Sequence, residues 1–101
     1  MSKNKELVAD TLIKRNELKF LASALGEEIV MMNTDNGDYI GINSVGSDIW
    51  EALSEPMSVD ELVNHILELY SGSEAEIKTD VYEFIKRALK LEMLIVIEPT
   101  N

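Results

Sequence analysis

Glu28-Ile29-Val30-Met31-Met32-Asn33, then Thr34-Asp35-Asn36-Gly37-Asp38, then Tyr39-Ile40-Gly41-Ile42: two β-prone runs lie on either side of an Asn-Gly pair. Asn and Gly tolerate the positive φ angles of a type I′ turn, whose twist suits paired strands, so this stretch predicts a hairpin with Asn36-Gly37 at its tip. Upstream, Leu18 to Ala24 reads as a further strand, joined to the Glu28 run through Leu25-Gly26-Glu27, where glycine takes the backbone round a tight turn. Three antiparallel strands therefore follow one another as a meander. The last, Asp38 to Ile42, stands at an edge in the simplest arrangement.

Downstream the periodicity changes from strand to helix. Asn43 and Ser44 can cap a helix carrying Val45, Ile49, Trp50 and Leu53. Ser58-Val59-Asp60-Glu61 is a capping box, in which the Ser58 hydroxyl and the Glu61 carboxylate each accept a backbone amide left over at a helix start. The helix it opens carries Leu62, Ile66, Leu67, Leu69 and Tyr70, and Gly72 is placed to end it. Ser73-Glu74-Ala75-Glu76 repeats the pattern before a third helix, with Ile77, Val81, Phe84, Ile85, Ala88 and Leu89 along one side. At 100° per residue, Tyr82, Ile85 and Leu89 form a half-exposed shoulder with Lys86 beside them, which reads equally as the wall of a binding groove or as an edge of the core, while Val81, Phe84 and Ala88 face further inward.

The chain then ends its periodic part in a β-prone run, Met93 to Ile97, which can close over the core or pair with another strand. Before the meander, Leu7, Val8, Leu12 and Ile13 form a short apolar cluster that reads as a helical turn, a strand or an arm. The expected organisation is an N-terminal arm over residues 1–16 and one folded domain over 17–97. Its fold class is α+β, a three-stranded antiparallel sheet followed by three helices, with the outline of a winged helix-turn-helix.

Composition narrows the function classes. Apolar residues at 46% and charged residues at 28% are the balance of a water-soluble globular chain, and 101 residues hold one ordinary core. The start, Met1-Ser2-Lys3-Asn4-Lys5-Glu6, has no apolar signal segment, so a cytoplasmic location is expected. With no cysteine, thiolate metal sites, disulfides and cysteine nucleophiles are excluded. Acids outnumber bases 19 to 9, for a net charge of −10. Phosphate neutralisation by Lys and Arg drives nucleic-acid binding, and anionic lipid surfaces select cations in the same way, so neither partner is expected. A polypeptide is the partner this charge allows.

No catalytic constellation emerges. His65 is the single histidine, with Glu68 three residues on, and nothing else organises it as a base or a zinc ligand. Asp35 and Asp38, with Asn33 and Asn36, lack the continuation of a calcium loop and read as turn chemistry. The five glycines are dispersed, forming no phosphate cradle. Tyr39, Trp50, Tyr70 and Tyr82 are not interleaved with cations in the manner of a base-stacking surface. The chain is expected to be no enzyme and to need neither cofactor nor metal.

Four spaced segments carry a resemblance: Glu28 to Met32; Gly37 through Leu53, with Ile42-Asn43-Ser44-Val45-Gly46-Ser47-Asp48-Ile49-Trp50 as its specific part; Ser58 to Val63; and Asp80 to Ile85. In this pattern the chain resembles the PqqD-like family, the recognition elements for ribosomally synthesised, post-translationally modified peptides. Its Val-Gly and Ile-Trp version is similar to the standalone proteins of lasso-peptide clusters. Departures are Ile42 in place of leucine, Glu55-Pro56 in place of an Asp-Gly loop, and Glu92-Met93 in place of a glycine near the third helix end. The resemblance implies that a precursor's leader peptide adds as a strand along Asp38, Tyr39, Ile40, Gly41 and Ile42, and that Tyr82, Ile85, Lys86 and Leu89 line a groove for its side chains. It implies a second partner, a modifying enzyme such as a leader peptidase or a radical enzyme. Two other readings stand beside it. One is a winged-helix module binding DNA or serving a transcription complex; the other is a homodimer formed when Asp38 to Ile42 or Met93 to Ile97 pairs with a second copy.

Overall fold

The computed structural model describes residues 10–26 and 28–97. Its elements in order are β1 (Leu12–Arg15), β2 (Phe20–Leu25), β3 (Glu28–Asn33), β4 (Tyr39–Ile42), α1 (Ser44–Ala52), β5 (Met57–Ser58), α2 (Val59–Leu69), α3 (Glu74–Lys90) and β6 (Leu94–Ile97). They form two three-stranded sheets, ordered β2-β3-β4 and β5-β1-β6, around three helices.

The meander forms as the sequence predicts, with Met31 opposite Ala22 on one side and Ile40 on the other. Phe20 and Met31 are buried on its inner face, Ile29, Ile40 and Ile42 pack beside them, and α1 lies against β3 and β4. Two local expectations need correction. The first strand starts at Phe20, because Asn16 C=O accepts the Lys19 and Phe20 amides and turns the chain there, leaving Leu18 93% exposed. The Asn36-Gly37 turn is not type I′, since only Gly37 has positive φ, at 78°. Instead, the Gly37 amide donates to Asn33 O over 2.8 Å, while the Asn33 and Asn36 side chains accept the amides of Asp35 and Asp38. Side-chain capping by Asn33 thus favours a wider loop than the dipeptide alone suggests.

The second sheet resolves the open alternatives at both ends of the periodic chain. Leu12 and Ile13 belong to a strand, and the run after Met93 pairs with it antiparallel, Leu12 opposite Ile97 and Arg15 opposite Leu94. Leu7 and Val8 lie outside the described residues. Ile13, with no exposed surface, and Leu94, at 2%, join the common core. Arg15 closes its margin: the guanidinium lies 5.1 Å from the Trp50 ring centroid, donates to Trp50 O at 3.3 Å and pairs with Glu17 at 2.6 Å. Its planar cation covers the aromatic ring while keeping hydrogen-bond partners.

The helices start where their caps place them. Asn43 Oδ1 accepts the Gly46 amide at 2.7 Å, the Ser58–Glu61 box is complete, and Ser73 Oγ accepts the Glu76 amide at 3.3 Å. Ile49, Trp50, Val59, Leu62, Val63, Ile66, Val81 and Ala88 fill the core between them. The Tyr70 hydroxyl donates to Asp48, tying the end of α2 to α1; that bond to a carboxylate, with burial, holds the phenol above its usual pKa. After α3 the chain reverses through Glu92, at φ 66°, with Met93 N donating to Ala88 O and Glu92 N to Leu89 O. This is a Schellman ending with glutamate in the left-handed position that glycine normally takes.

Candidate peptide-binding site

Among the described residues, β4 is paired on one side only. Its hydrogen-bond phase follows from the Asn33 amide, which donates to Asp38 O at 2.8 Å. Opposed residues in an antiparallel ladder alternate between bonded and non-bonded pairs, so Ile40 and Ile42 direct their N–H and C=O groups toward β3. Tyr39 and Gly41 direct theirs outward. The open edge therefore offers two donors and two acceptors at the spacing of a fourth strand.

Beside this edge runs α3. Ile40, Gly41, Ile42 and Asn43 on one side and Phe84, Arg87, Ala88, Leu91 and Met93 on the other enclose a cavity of about 60 Å³. It continues into a more polar cavity of about 270 Å³ lined by Asn43, Val45, Asp80, Glu83, Phe84 and Arg87. The wall between is set from behind. A Cβ placed on Gly46 would come within 2.5 Å of Phe84 Cε1, so the ring packs onto bare α1 backbone. The spaced motif now has a physical account: Asn43 caps α1, Gly46 admits Phe84, and Ile49 and Trp50 anchor the helix in the core.

Of the residues singled out from the sequence, Ile40, Gly41 and Ile42 line the groove, and Asp38 and Tyr39 precede them at the same edge. The helix residues fall differently. Ile85 has no exposed surface and is a core residue, not part of a half-exposed shoulder, because α3 is rotated to bury the Val81–Ile85–Ala88 stripe. Tyr82 and Leu89 are half-buried and Lys86 is exposed, and none of the three lines either cavity. The opposite shoulder, Phe84, Arg87 and Leu91, meets β4. The sequence carried one signal for it: glycine inside a helix costs about 1 kcal/mol against alanine, which marks Gly46 as a point of close approach. It did not say which ring approaches.

A larger cavity of about 320 Å³ is lined by Lys14, Arg15, Leu18, Leu53, Pro56 and Ile95 among others, with no residue of β4 or α3. The outer face of the meander is apolar as well. Leu21, Met32 and Tyr39 stand in one cross-strand row, with Val30 and Leu25 beside it, and Leu21, Leu25 and Tyr39 are 51%, 65% and 67% exposed.

The family model described as coenzyme PQQ synthesis protein D (PqqD) matches residues 28–94, from the start of β3 to the start of β6. The chain belongs to the PqqD family. Two solved structures share this PqqD fold. One is described as TbiB1 in complex with the TbiA(beta) leader peptide; it is 24% identical, with a TM-score of 0.68 over 87% of this chain and 99% of that one. The other is described as lasso peptide synthetase B1 complexed with the leader peptide; it is 12% identical, with a TM-score of 0.68 over 82% of this chain and 96% of that one. Among curated proteins, none matches the chain. No helix of the described residues is long and apolar enough to cross a membrane.

Proposed function

We propose that this protein binds the leader segment of a ribosomally synthesised precursor peptide as a fourth strand on β4 and presents it to a separate modifying enzyme. The observation that carries the reading is the open β4 edge, with Tyr39 and Gly41 facing outward, running alongside the groove against α3. Ladder bonds at roughly 0.5–1.5 kcal/mol each do not by themselves offset the ordering of a free peptide. Apolar side chains seated between Ile40, Ile42, Phe84, Ala88 and Leu91 supply the remainder and the sequence preference. The fold is shared with two proteins whose structures hold leader peptides, and the net charge of −10 disfavours the DNA-binding alternative.

Presentation needs a second surface. A strand added to β4 lengthens the meander and places alternate side chains beside Tyr39 on the outer face. The Leu21–Met32–Tyr39 row then becomes continuous with the bound peptide, a surface on which the enzyme contacts carrier and cargo together. Bond chemistry belongs to that enzyme, by family analogy a leader peptidase or a radical enzyme, in the cytoplasm where precursor peptides are made.

Titrating candidate leader peptides into isotopically labelled protein tests the reading. Amide signals of residues 39–43 and 84–91 move, while those of β1 and β6 stay. Shifts confined to α1 and α2 would overturn it.

A further inference from the structure

Cations are scarce in this chain, and along the described residues Arg15, Lys19 and Lys78 are paired while Lys14, Lys86 and Lys90 line neither cavity of the groove. Arg15 pairs with Glu17, Lys19 with Glu92, and Lys78 with Glu74 at 4.0 Å. Arg87 makes no ion pair and its guanidinium no hydrogen bond among the described residues, yet it lines both the apolar cavity and its polar continuation. Glu83 stands four residues before it on α3, the spacing at which Glu74 and Lys78 do pair, and a helical Glu–Arg couple at i, i+4 is ordinarily favourable. Asp80 and Glu83 even share the polar cavity with Arg87. Among the described residues the guanidinium pairs with neither acid, and it lines both cavities together with Asn43, whose Oδ1 already accepts the Gly46 amide.

We infer that Arg87 is a specificity-determining residue, whose guanidinium holds a carboxylate of the peptide added to β4. The inference rests on the strand-addition reading and names a chemical class within it: an acidic side chain following or preceding the apolar anchor at a fixed step. Side chains on one face of a strand recur every second residue, and the two cavities adjoin at Arg87, so the acid lies two positions from the residue that fills the apolar cavity. A planar fork of donors suits a carboxylate in two-point contact and gives more discrimination than a lysine at the same place. Asp80 and Glu83 beyond it repel a second acid, which confines the acidic preference to one position.

The test is selection of a displayed library of random linear peptides on the wild-type protein and on Arg87→Glu and Arg87→Lys. Arg87 is exposed, so the variants should fold, and thermal melts verify it. Wild type should enrich Asp or Glu two positions from an apolar residue, Arg87→Glu should replace that acid with Lys or Arg while keeping the apolar position, and Arg87→Lys should keep the acid. Changing the acid of a selected peptide to its amide should weaken binding about three- to tenfold, the range of a part-exposed charge-assisted pair, and the loss should shrink at high salt. Peptides that shift the Tyr39 and Gly41 amides but carry no acid preference, or an unchanged preference in Arg87→Glu, overturn the assignment alone. Failure to select any motif, or selection of peptides that leave those amides unmoved, overturns strand addition and this inference with it.

Discussion

The two sheets hold the same number of strands and are built in opposite ways. β2, β3 and β4 are consecutive, joined by short turns, and end in an edge that no other described strand pairs with, with an apolar groove beside it. β5, β1 and β6 come from three distant parts of the chain, and β1 is held between the other two, Ile13 opposite Met57 and Val96. Local pairing forms cheaply, because little loop entropy is lost, and leaves an edge to spare. Long-range pairing ties the ends of the fold together and fills the core. Under the proposed function the difference separates receiving a guest from holding the domain together, and it can be broken or sharpened by substitution.

The largest effect is expected at Ile13. Ile13→Ala empties a fully buried site in the closing sheet and should cost about 2–4 kcal/mol in urea denaturation, with peptide affinity of the folded fraction unchanged. Lost affinity at full folding would erase the division between the sheets. Next come two neighbours on β4. Ile40→Pro removes a donor to β3 and should destabilise the meander, by about 3 kcal/mol if the cost resembles that of proline inside other regular elements. Gly41→Pro removes an outward donor and should lower peptide affinity about tenfold or more, the worth of one or two hydrogen bonds with their geometry, at little cost in melting temperature. Equal outcomes for the pair would mean that the assigned hydrogen-bond phase of β4 is wrong. The smallest effect is at the joint between the sheets. Glu92→Gly relieves a left-handed residue, worth roughly 1–2 kcal/mol before the gain in unfolded-state freedom is subtracted, and gives up the exposed contact with Lys19. A net rise in stability below about 1 kcal/mol is expected from those opposing terms; a fall would show that the Lys19–Glu92 contact steadies the entry to β6.

The same division explains what the sequence made legible. The meander and the three helices are encoded locally, in Gly26, Asn36-Gly37, the Ser58–Glu61 box and the apolar stripes, so reading short windows finds them. The closing sheet is not. Leu12-Ile13-Lys14-Arg15 is too short to announce itself, and its partner lies almost at the other end of the described chain. For the groove, the strand was legible because its edge position follows from chain order. The helix wall was half legible: periodicity shows which stripe of α3 is apolar, whereas the shoulder turned toward β4 depends on how Val81, Ile85 and Ala88 seat in the core. Local chemistry also misled at the second hairpin, where Asn33 used its side chain to widen a loop that Asn-Gly alone would have made tight.

Pairing of β1 with β6 also orders events during synthesis. β2 through α3 can begin to assemble as they leave the ribosome, and β1 can pair with β5, but the other edge of β1 has no partner until Leu94 to Ile97, the last described element to be translated, has emerged. Until then the nascent domain presents an unfinished apolar flank to chaperones, while its β4 edge is already in place.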